Sequence, residues 1–485
     1  MHTKYAEGAR RQAAGARGRA ADARRPLAVG RTGPENGLHL AGRAPGRFEV
    51  AMQGSGPELD RTVPALLVKI GRYPQHAGGV GVLRTLGRAG VPVYAMVEDR
   101  FTPAAVSRYT AGRFVRPTTG LEQPAALVDL LLAIGGAIGR RSVPVATDDE
   151  AALLLAEHAD RLSEWFLLPP VPRALPRQLA DKGGLHRLCL EHGTPTPRSR
   201  AASDHDELVA AGRDWGYPLV LKNLEAWTRL RTPAVEHTTV VRDERELLAA
   251  CPPGHPLSVL VQEYIPKERA EDWFTHLHCP ADGGPPTVLT GFKVRSWPPD
   301  AGVTTRARAL ENPALAEQAA EFCRRIGYRG VADLDWRLDR RDGRYKLVDF
   351  NPRTGAQFRL LETVDGLDVV RALHLDLTGR PSPRGAQAPA RSFGLGQLDL
   401  LSAAVWTWQR RRPPTELLPR RGTERAWLCG DDPAPAVAEA VRFGGTVARR
   451  AGPLGVRGWR RLLDAGPLDR HDVPIRKFDL SRLRK

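Results

Sequence analysis

Two neighbouring stretches of this 485-residue chain alternate apolar and oxygen-bearing side chains so regularly that each reads as a β-strand with one polar face. The first is Gly330-Val-Ala-Asp-Leu-Asp-Trp336, with Asp333 and Asp335 on one face. The second is Tyr345-Lys-Leu-Val-Asp-Phe-Asn-Pro-Arg353, in which Asp349 and Asn351 share a face and Asn351-Pro352 ends the strand. A carboxylate among apolar neighbours is costly to bury without a partner. A metal ion between the two strands would be such a partner. Two oxygen donors followed by Arg353 make a ready site for Mg2+ and phosphate oxygens. The plainer alternative is a solvated strand edge.

Length and composition frame that site. A chain of 485 residues with 42% hydrophobic side chains predicts two or three folded domains. The longest apolar run, 127–139, is too short for a bilayer and is interrupted by Asp129, and the N-terminus lacks an apolar signal core. Both point to a cytoplasmic protein without a membrane partner. Five scattered cysteines with no CxxC pair read as idle thiols of a reducing compartment. The net charge of +17 comes from arginines spread along the whole chain, far outnumbering lysines, and this speaks against a nucleic-acid partner.

Residues 1–60 are rich in Ala, Arg and Gly, and are expected to form a disordered, dispensable basic tail, with Met52 as an alternative translation start. In 61–178, apolar runs at 65–70, 91–97, 114–115 and 143–147 alternate with helical patterns at 79–89 and 121–138, the pattern of a parallel sheet. Its glycines at 71, 78, 79 and 81 do not keep the GxGxxG spacing and read as a structural turn. A helix at 149–160 and a Pro-rich linker at 169–176 follow. A larger α+β region occupies 179–380. Beyond a second linker at 380–390, the small region 381–485 mixes helical stretches bearing Trp406, Trp408 and Trp427, read as packing residues, with a strand at 425–429. His276 and His278 are expected to be ordinary strand residues, since no fourth metal ligand lies at a normal spacing.

The middle region carries an ordered series of elements. Asp181-Lys182 opens a helix, and Tyr217-Pro-Leu-Val-Leu-Lys222 is a strand ending in lysine. Ser258-Val-Leu-Val-Gln-Glu-Tyr-Ile-Pro266 is a strand broken at proline, with Glu271-Asp272 soon after. Gly291-Phe-Lys-Val-Arg295 precedes the two aspartate strands. In this order the series resembles the ATP-grasp superfamily, and 65–168 resembles the Rossmann-like domain that precedes it. Lys293-Val-Arg295, Pro298, Gly302-Val-Thr-Thr305 and Asp431-Asp432-Pro433 are similar to the carboxylate–amine ligase branch, including D-aspartate ligase-like proteins. The implied fold is a Rossmann-like pre-ATP-grasp domain, a two-lobed ATP-grasp domain and a small C-terminal region.

The resemblance also implies roles. Lys182 and Lys222 would lie near the phosphates of ATP. Gln262, Glu263, Tyr264 and Ile265 would form the hinge whose backbone meets adenine, and Glu263 or Glu271 would take the ribose hydroxyls. Lys293 and Arg295 would contact the γ-phosphate or an acyl phosphate. Asp335, Asp349 and Asn351 would hold Mg2+, with Mn2+ as the alternative, and Arg353 would stabilise charge in the transition state. Arg306, Arg308 and Arg359 are candidates to hold a substrate carboxylate. The family usually has glutamate where Asp335 and Asp349 stand, and the shorter side chain leaves open whether one ion or two is held. The implied activity joins a small carboxylate and a small amine, such as amino acids or peptides, through an acyl phosphate. Its rivals are a carboxylase-like or kinase-like ATP-grasp reaction, and a catalytically weak nucleotide-binding or nucleic-acid-binding protein.

Overall fold

The apolar run Ala65-Leu-Leu-Val is buried at every residue, as a central parallel strand must be. This strand, β1 (Ala65–Val68), pairs with β2 (Val93–Val97) on one side and with β4 (Val143–Ala146) on the other, while β3 (Thr110–Val115) closes the outer edge. All pairings are parallel in the order β3-β2-β1-β4, and β3 alternates exposed and half-buried residues as an edge strand does. These coordinates are a computed structural model that describes residues 56–451, apart from 74–75, 120–121, 225–234, 236–237, 253–256, 298–301, 412, 415 and 417–421, with the side chains of 449–451 also left aside. All described residues lie in one compact unit, Gln53–Lys485. Residues 1–55, most of the expected basic tail, and Met52 with them, lie outside the described residues, as do Leu121 and Pro298.

Local chemistry sets the helix boundaries. The helix Ala77–Arg88 is capped by His76, whose side chain accepts from the Gly79 N–H. Pro124–Ile138 starts at its proline, which needs no donor there, and ends on Gly139 in the left-handed conformation. The helix expected at 149–160 is two, Asp149–Glu157 and Ala159–Leu162, with His158 out of helical conformation between them. The Pro-rich linker gives way at Leu175 to the helix Leu175–Ala180, with Pro176 in its first turn.

Two further sheets follow, the first antiparallel and the second antiparallel except for the parallel pairing of its last two strands. One joins β5 (Ser199–Ala202), β6 (Leu219–Asn223), β7 (Thr239–Val241) and β8 (Val259–Glu263) in the order β5-β8-β6-β7, backed by helices His205–Trp215 and Glu244–Ala250. The other contains β9 (Ala270–Cys279), β10 (Thr287–Trp297), β11 (Val303–Ala309), β12 (Gly330–Asp339), β13 (Arg344–Asn351), β14 (Ser392–Gly394) and β15 (Thr423–Arg425), in the order β13-β12-β9-β10-β11-β14-β15. The strand expected at 425–429 therefore starts two residues earlier and ends four residues earlier, at Arg425.

One face of the large sheet packs Trp273, Leu277, Ala332, Leu334, Trp336, Leu347 and Phe350 against the helix Pro313–Arg325. The period of two sends Asp333 and Asp335 to the opposite face. Part of that face is covered by a core that runs from Phe274, Leu289 and Val331 through Phe358 and the helix Val369–Leu377 to the helix Ala77–Arg88 and β1. The parallel sheet is thus packed onto the large one. All five cysteines are unpaired, and Cys189, Cys251, Cys279 and Cys323 are buried. No described helix is long and apolar enough to cross a membrane.

A second tie comes from the segment after β15. Arg84 pairs with Asp432 at 3.0 Å, both nearly inaccessible, and donates to the carbonyls of Ala426, Trp427 and Asp432. Asp432 also accepts from the Ser107 hydroxyl and the Arg108 N–H, and Asp431 accepts from Arg88 and the Tyr109 hydroxyl. Removing one partner of a buried pair leaves an uncompensated charge and three unmatched carbonyls. Arg84→Leu should lower unfolding stability by about 3 kcal/mol or more, read from urea unfolding of the full chain. A change of under about 0.5 kcal/mol, the usual range for a plain surface substitution, would show that the network contributes nothing.

Candidate active site

Strand register brings the oxygen donors together. On β12 and β13, Asp335 stands opposite Asp349 and Asp333 opposite Asn351. Each carboxylate on this face has a cation. Lys293, from β10, reaches Asp335 at 2.7 Å. Lys182 is the first residue of the helix Lys182–Glu191, which is capped by Asp181, and it pairs with Asp349. Lys222, on β6 of the smaller sheet, crosses to donate to the Val348 carbonyl at 3.0 Å. Arg353 binds Asp333 at 3.1 Å and lies 3.3 Å from Asp149, at the start of the helix Asp149–Glu157.

The electrostatics follow from burial against pairing. Burial works to raise the Asp349 carboxyl, but Lys182 and Lys222 overcome it and hold it down at about 2, so it is a carboxylate at neutral pH. Asp333 and Asp335 are raised by burial, against the opposing pull of Arg353 and Lys293. Burial lowers Lys222 to about 8, with Asp349 resisting, and lowers His276 to about 3, with Arg353 adding to the effect. His276 is therefore neutral, 3.8 Å from Asp333, and among the described residues neither of its ring nitrogens has a hydrogen-bond partner. His278 lies 3.2 Å from Asp376. Gly355 closes over this corner, where any Cβ would strike His276 and come within 2.7 Å of the Asp333 carboxylate.

The hinge residues sit where β8 leaves its sheet. Gln262 is still inside it, opposite Ser199 and Val220, with its amide donating to the Ser199 hydroxyl at 3.0 Å. Glu263 accepts from the Arg198 N–H at 3.1 Å and faces Lys346 and Arg341. Tyr264 and the buried Ile265 continue beyond the strand. Glu271 pairs with Arg340 and accepts from the Trp273 indole. This cluster lies on the same lobe boundary as Lys222, with Lys346 two residues from Val348.

Arg295 is not brought to the aspartates. Its pairing with β11 is broken by a bulge after Lys293, and a bulge redirects the side chains that follow it. Arg295 is buried and binds Asp399 at 3.0 Å, together with Arg306 at 2.6 Å, and donates to the Glu416 carbonyl. Arg308 pairs with Glu416, and Arg359 with Asp368 at 2.9 Å. The three arginines considered for a substrate carboxylate thus carry carboxylates of the chain itself. Asp149 and Asp399 were not singled out by sequence. The helix-start pattern Asp148-Asp-Glu150 explains an acidic first turn without any distant partner.

The donor set suits a hard cation. Asp335, Asp349 and Asn351 offer oxygen only, and no described group of three or more His, Cys, Asp or Glu side chains could hold a metal ion by itself. Three protein oxygens with phosphate oxygens and water match magnesium, which rarely uses an all-protein cage.

Comparison with known proteins bears on the fold. Residues 303–375 match the family model of the carbamoyl-phosphate synthase L chain, ATP binding domain. Over 309 residues the chain is 22% identical to a D-aspartate ligase of Enterococcus faecium, covering 60% of this chain and 72% of that protein. Among solved structures, the ADP complex of an N5-carboxyaminoimidazole ribonucleotide synthetase superposes with a TM-score of 0.53 at 12% identity, covering 72% of this chain and 86% of the other. N5-carboxyaminoimidazole synthetase from Staphylococcus aureus gives 0.51 at 11% identity, covering 68% and 81%.

Lys222→Ala should weaken ATP binding by roughly tenfold, the loss of one charge-assisted contact, measured by calorimetric titration of the full chain. Asp349→Asn should raise the magnesium concentration needed for half-maximal ATP binding, because it removes a charged oxygen donor. An unchanged magnesium requirement would remove Asp349 from the metal site.

Proposed function

We propose, from the premise that this chain is an ATP-grasp protein, that it is an ATP-dependent carboxylate–amine ligase working through an acyl phosphate, with amino acids or small peptides as substrates. The observation that carries this reading is the row of matched charges along one cleft. Lys222 and Lys182 lead to Asp349 and Asp335 with Lys293, and these lead to Arg353. The D-aspartate ligase relative supports the choice of ligation among ATP-grasp reactions.

A carboxylate resists attack by an amine because its oxygen is a poor leaving group. In the proposed first step a carboxylate oxygen attacks the γ-phosphorus, the β–γ bridging bond breaks, and ADP leaves. The amine then attacks the acyl carbon, the C–O bond to phosphate breaks, and phosphate leaves as the amine gives up a proton. Asp335, Asp349 and Asn351 would hold magnesium, which would supply charge neutralisation at the phosphate oxygens. Lys222 and Lys182 bind phosphate as compact charges, whereas the planar guanidinium of Arg353 suits oxygens spread about the transferring phosphorus. Lys293, already held by Asp335, is placed to meet either the γ-phosphate or the acyl phosphate.

Interactions that strengthen only in the transition state raise turnover, and uniform ones mainly change binding. Arg353→Ala should therefore lower turnover by roughly 10²-fold or more, while ATP affinity falls much less. The test screens pairs of amino acids for phosphate release and identifies the condensed product by mass. Near-normal turnover in Arg353→Ala contradicts the assignment of this residue. A stable phosphorylated product, in place of free phosphate and an amide, contradicts ligation.

A further inference from the structure

Two carboxylates flank the Arg353 guanidinium, one on the large sheet and one at the start of the helix that follows β4. Asp333 comes from β12 of the large sheet and takes Nη1 at 3.1 Å. Asp149 follows β4 of the parallel sheet, and its Oδ1 lies 3.3 Å from Nε. Nη1 also donates to the Thr354 carbonyl at 3.2 Å, and the Thr354 N–H donates to the Ala146 carbonyl at 3.1 Å. Backbone and side chain are therefore both tied to the end of β4. Among the described residues Nη2 has no protein hydrogen bond, so this is the edge of the fork left to meet a ligand oxygen.

Asp149 is itself firmly placed. It opens a helix whose cap, Asp148, is buried and accepts from the Ile70, Gly71 and Ala151 N–H groups at 2.8, 2.7 and 3.0 Å. That carboxylate thereby locks the helix start to the end of β1. Asp149, fixed by this scaffold and buried, presents its charge to Arg353.

We propose that Asp149 is a positioning residue for Arg353, through which the parallel-sheet region sets the direction of the guanidinium in the active site. What Arg353 then does rests on the ligase reading above, whereas how it is held does not. A guanidinium hydrogen-bonded at Nη1 and ion-paired beside Nε is restrained in direction, and small misplacements of a charge-stabilising group cost large factors in rate. A simple staple between the two regions would behave differently, losing stability without separating turnover from binding.

The experiment uses the full chain, with two readouts. The first is the side-chain Nε–H resonance of Arg353 in isotope-labelled protein, assigned by its loss in Arg353→Lys. Asp149→Asn should shift this resonance and speed its exchange with water. The second is steady-state phosphate release with a working acid and amine. Asp149→Asn should lower kcat by roughly tenfold or more while KM for ATP stays within about threefold. Asp149→Glu should recover part of the loss, and adding Asp149→Asn to Arg353→Ala should cost little more, since the two act as one unit. A kcat within about twofold of wild type, or an equal loss with and without Arg353, would overturn the proposal. If no substrate pair gives phosphate release from the wild type, the ligase reading fails, and the resonance decides the clamp alone. An unchanged resonance in Asp149→Asn would then refute it.

Discussion

A carboxylate on a buried sheet face has to be matched by a cation, and most of the architecture around β12 and β13 answers that demand. The apolar residues of these strands fix the sheet on the helix Pro313–Arg325, so the period of two leaves Asp333 and Asp335 nowhere else to point. The cations on this face come from widely separated places: Lys293 from β10 to Asp335, Lys182 from a helix start to Asp349, Lys222 from the smaller sheet to the Val348 carbonyl, and Arg353 from just beyond β13 to Asp333. Pairing a buried charge is rarely a large net source of stability. Its consequence here is convergence, because satisfying the aspartates gathers three lysines, an arginine and oxygen donors onto one face of the sheet.

The same logic organises the outer parts of the chain. Arg84 and Asp432 are buried together, and the segment after β15 is thereby drawn onto the parallel sheet region. Arg295 and Arg306 share Asp399 on the helix Gln397–Arg410, which fastens that helix to β10 and β11. Neither network reaches the Asp335–Asp349 pair. They brace the sheet that carries it, so a substitution in either is expected to read out first as stability.

Sequence was most informative where local periodicity and side-chain chemistry coincide. Counting put Asp349 with Asn351 and Asp333 with Asp335, each pair on one face of its strand, and Lys182 and Lys222 lie at the ends of elements whose type was plain from pattern. The parallel sheet was legible for the same reason, since its apolar runs alternate with helical ones. Arg295, placed beside Lys293 by the family resemblance, lies elsewhere. A bulge after Lys293 breaks the period that would have set both side chains side by side, and nothing in Gly291-Phe-Lys-Val-Arg295 signals it. Asp149 was invisible for another reason. Its partner lies about two hundred residues further on, and its own surroundings already account for an acidic helix start. The break at His158 and the early end of the last strand are boundary effects of a few residues, the least legible feature of any sequence.

The central claim is that a substrate carboxylate attacks the γ-phosphorus in this cleft, so one of its oxygens must leave with phosphate. Supplying the acid with a heavy-oxygen label in its carboxylate, under conditions of full turnover, and examining the released phosphate by phosphorus NMR tests this directly. The account predicts one labelled oxygen per phosphate formed, and an amide product retaining the other. Phosphate free of label while the amide forms would contradict an acyl phosphate and, with it, the function proposed for this site.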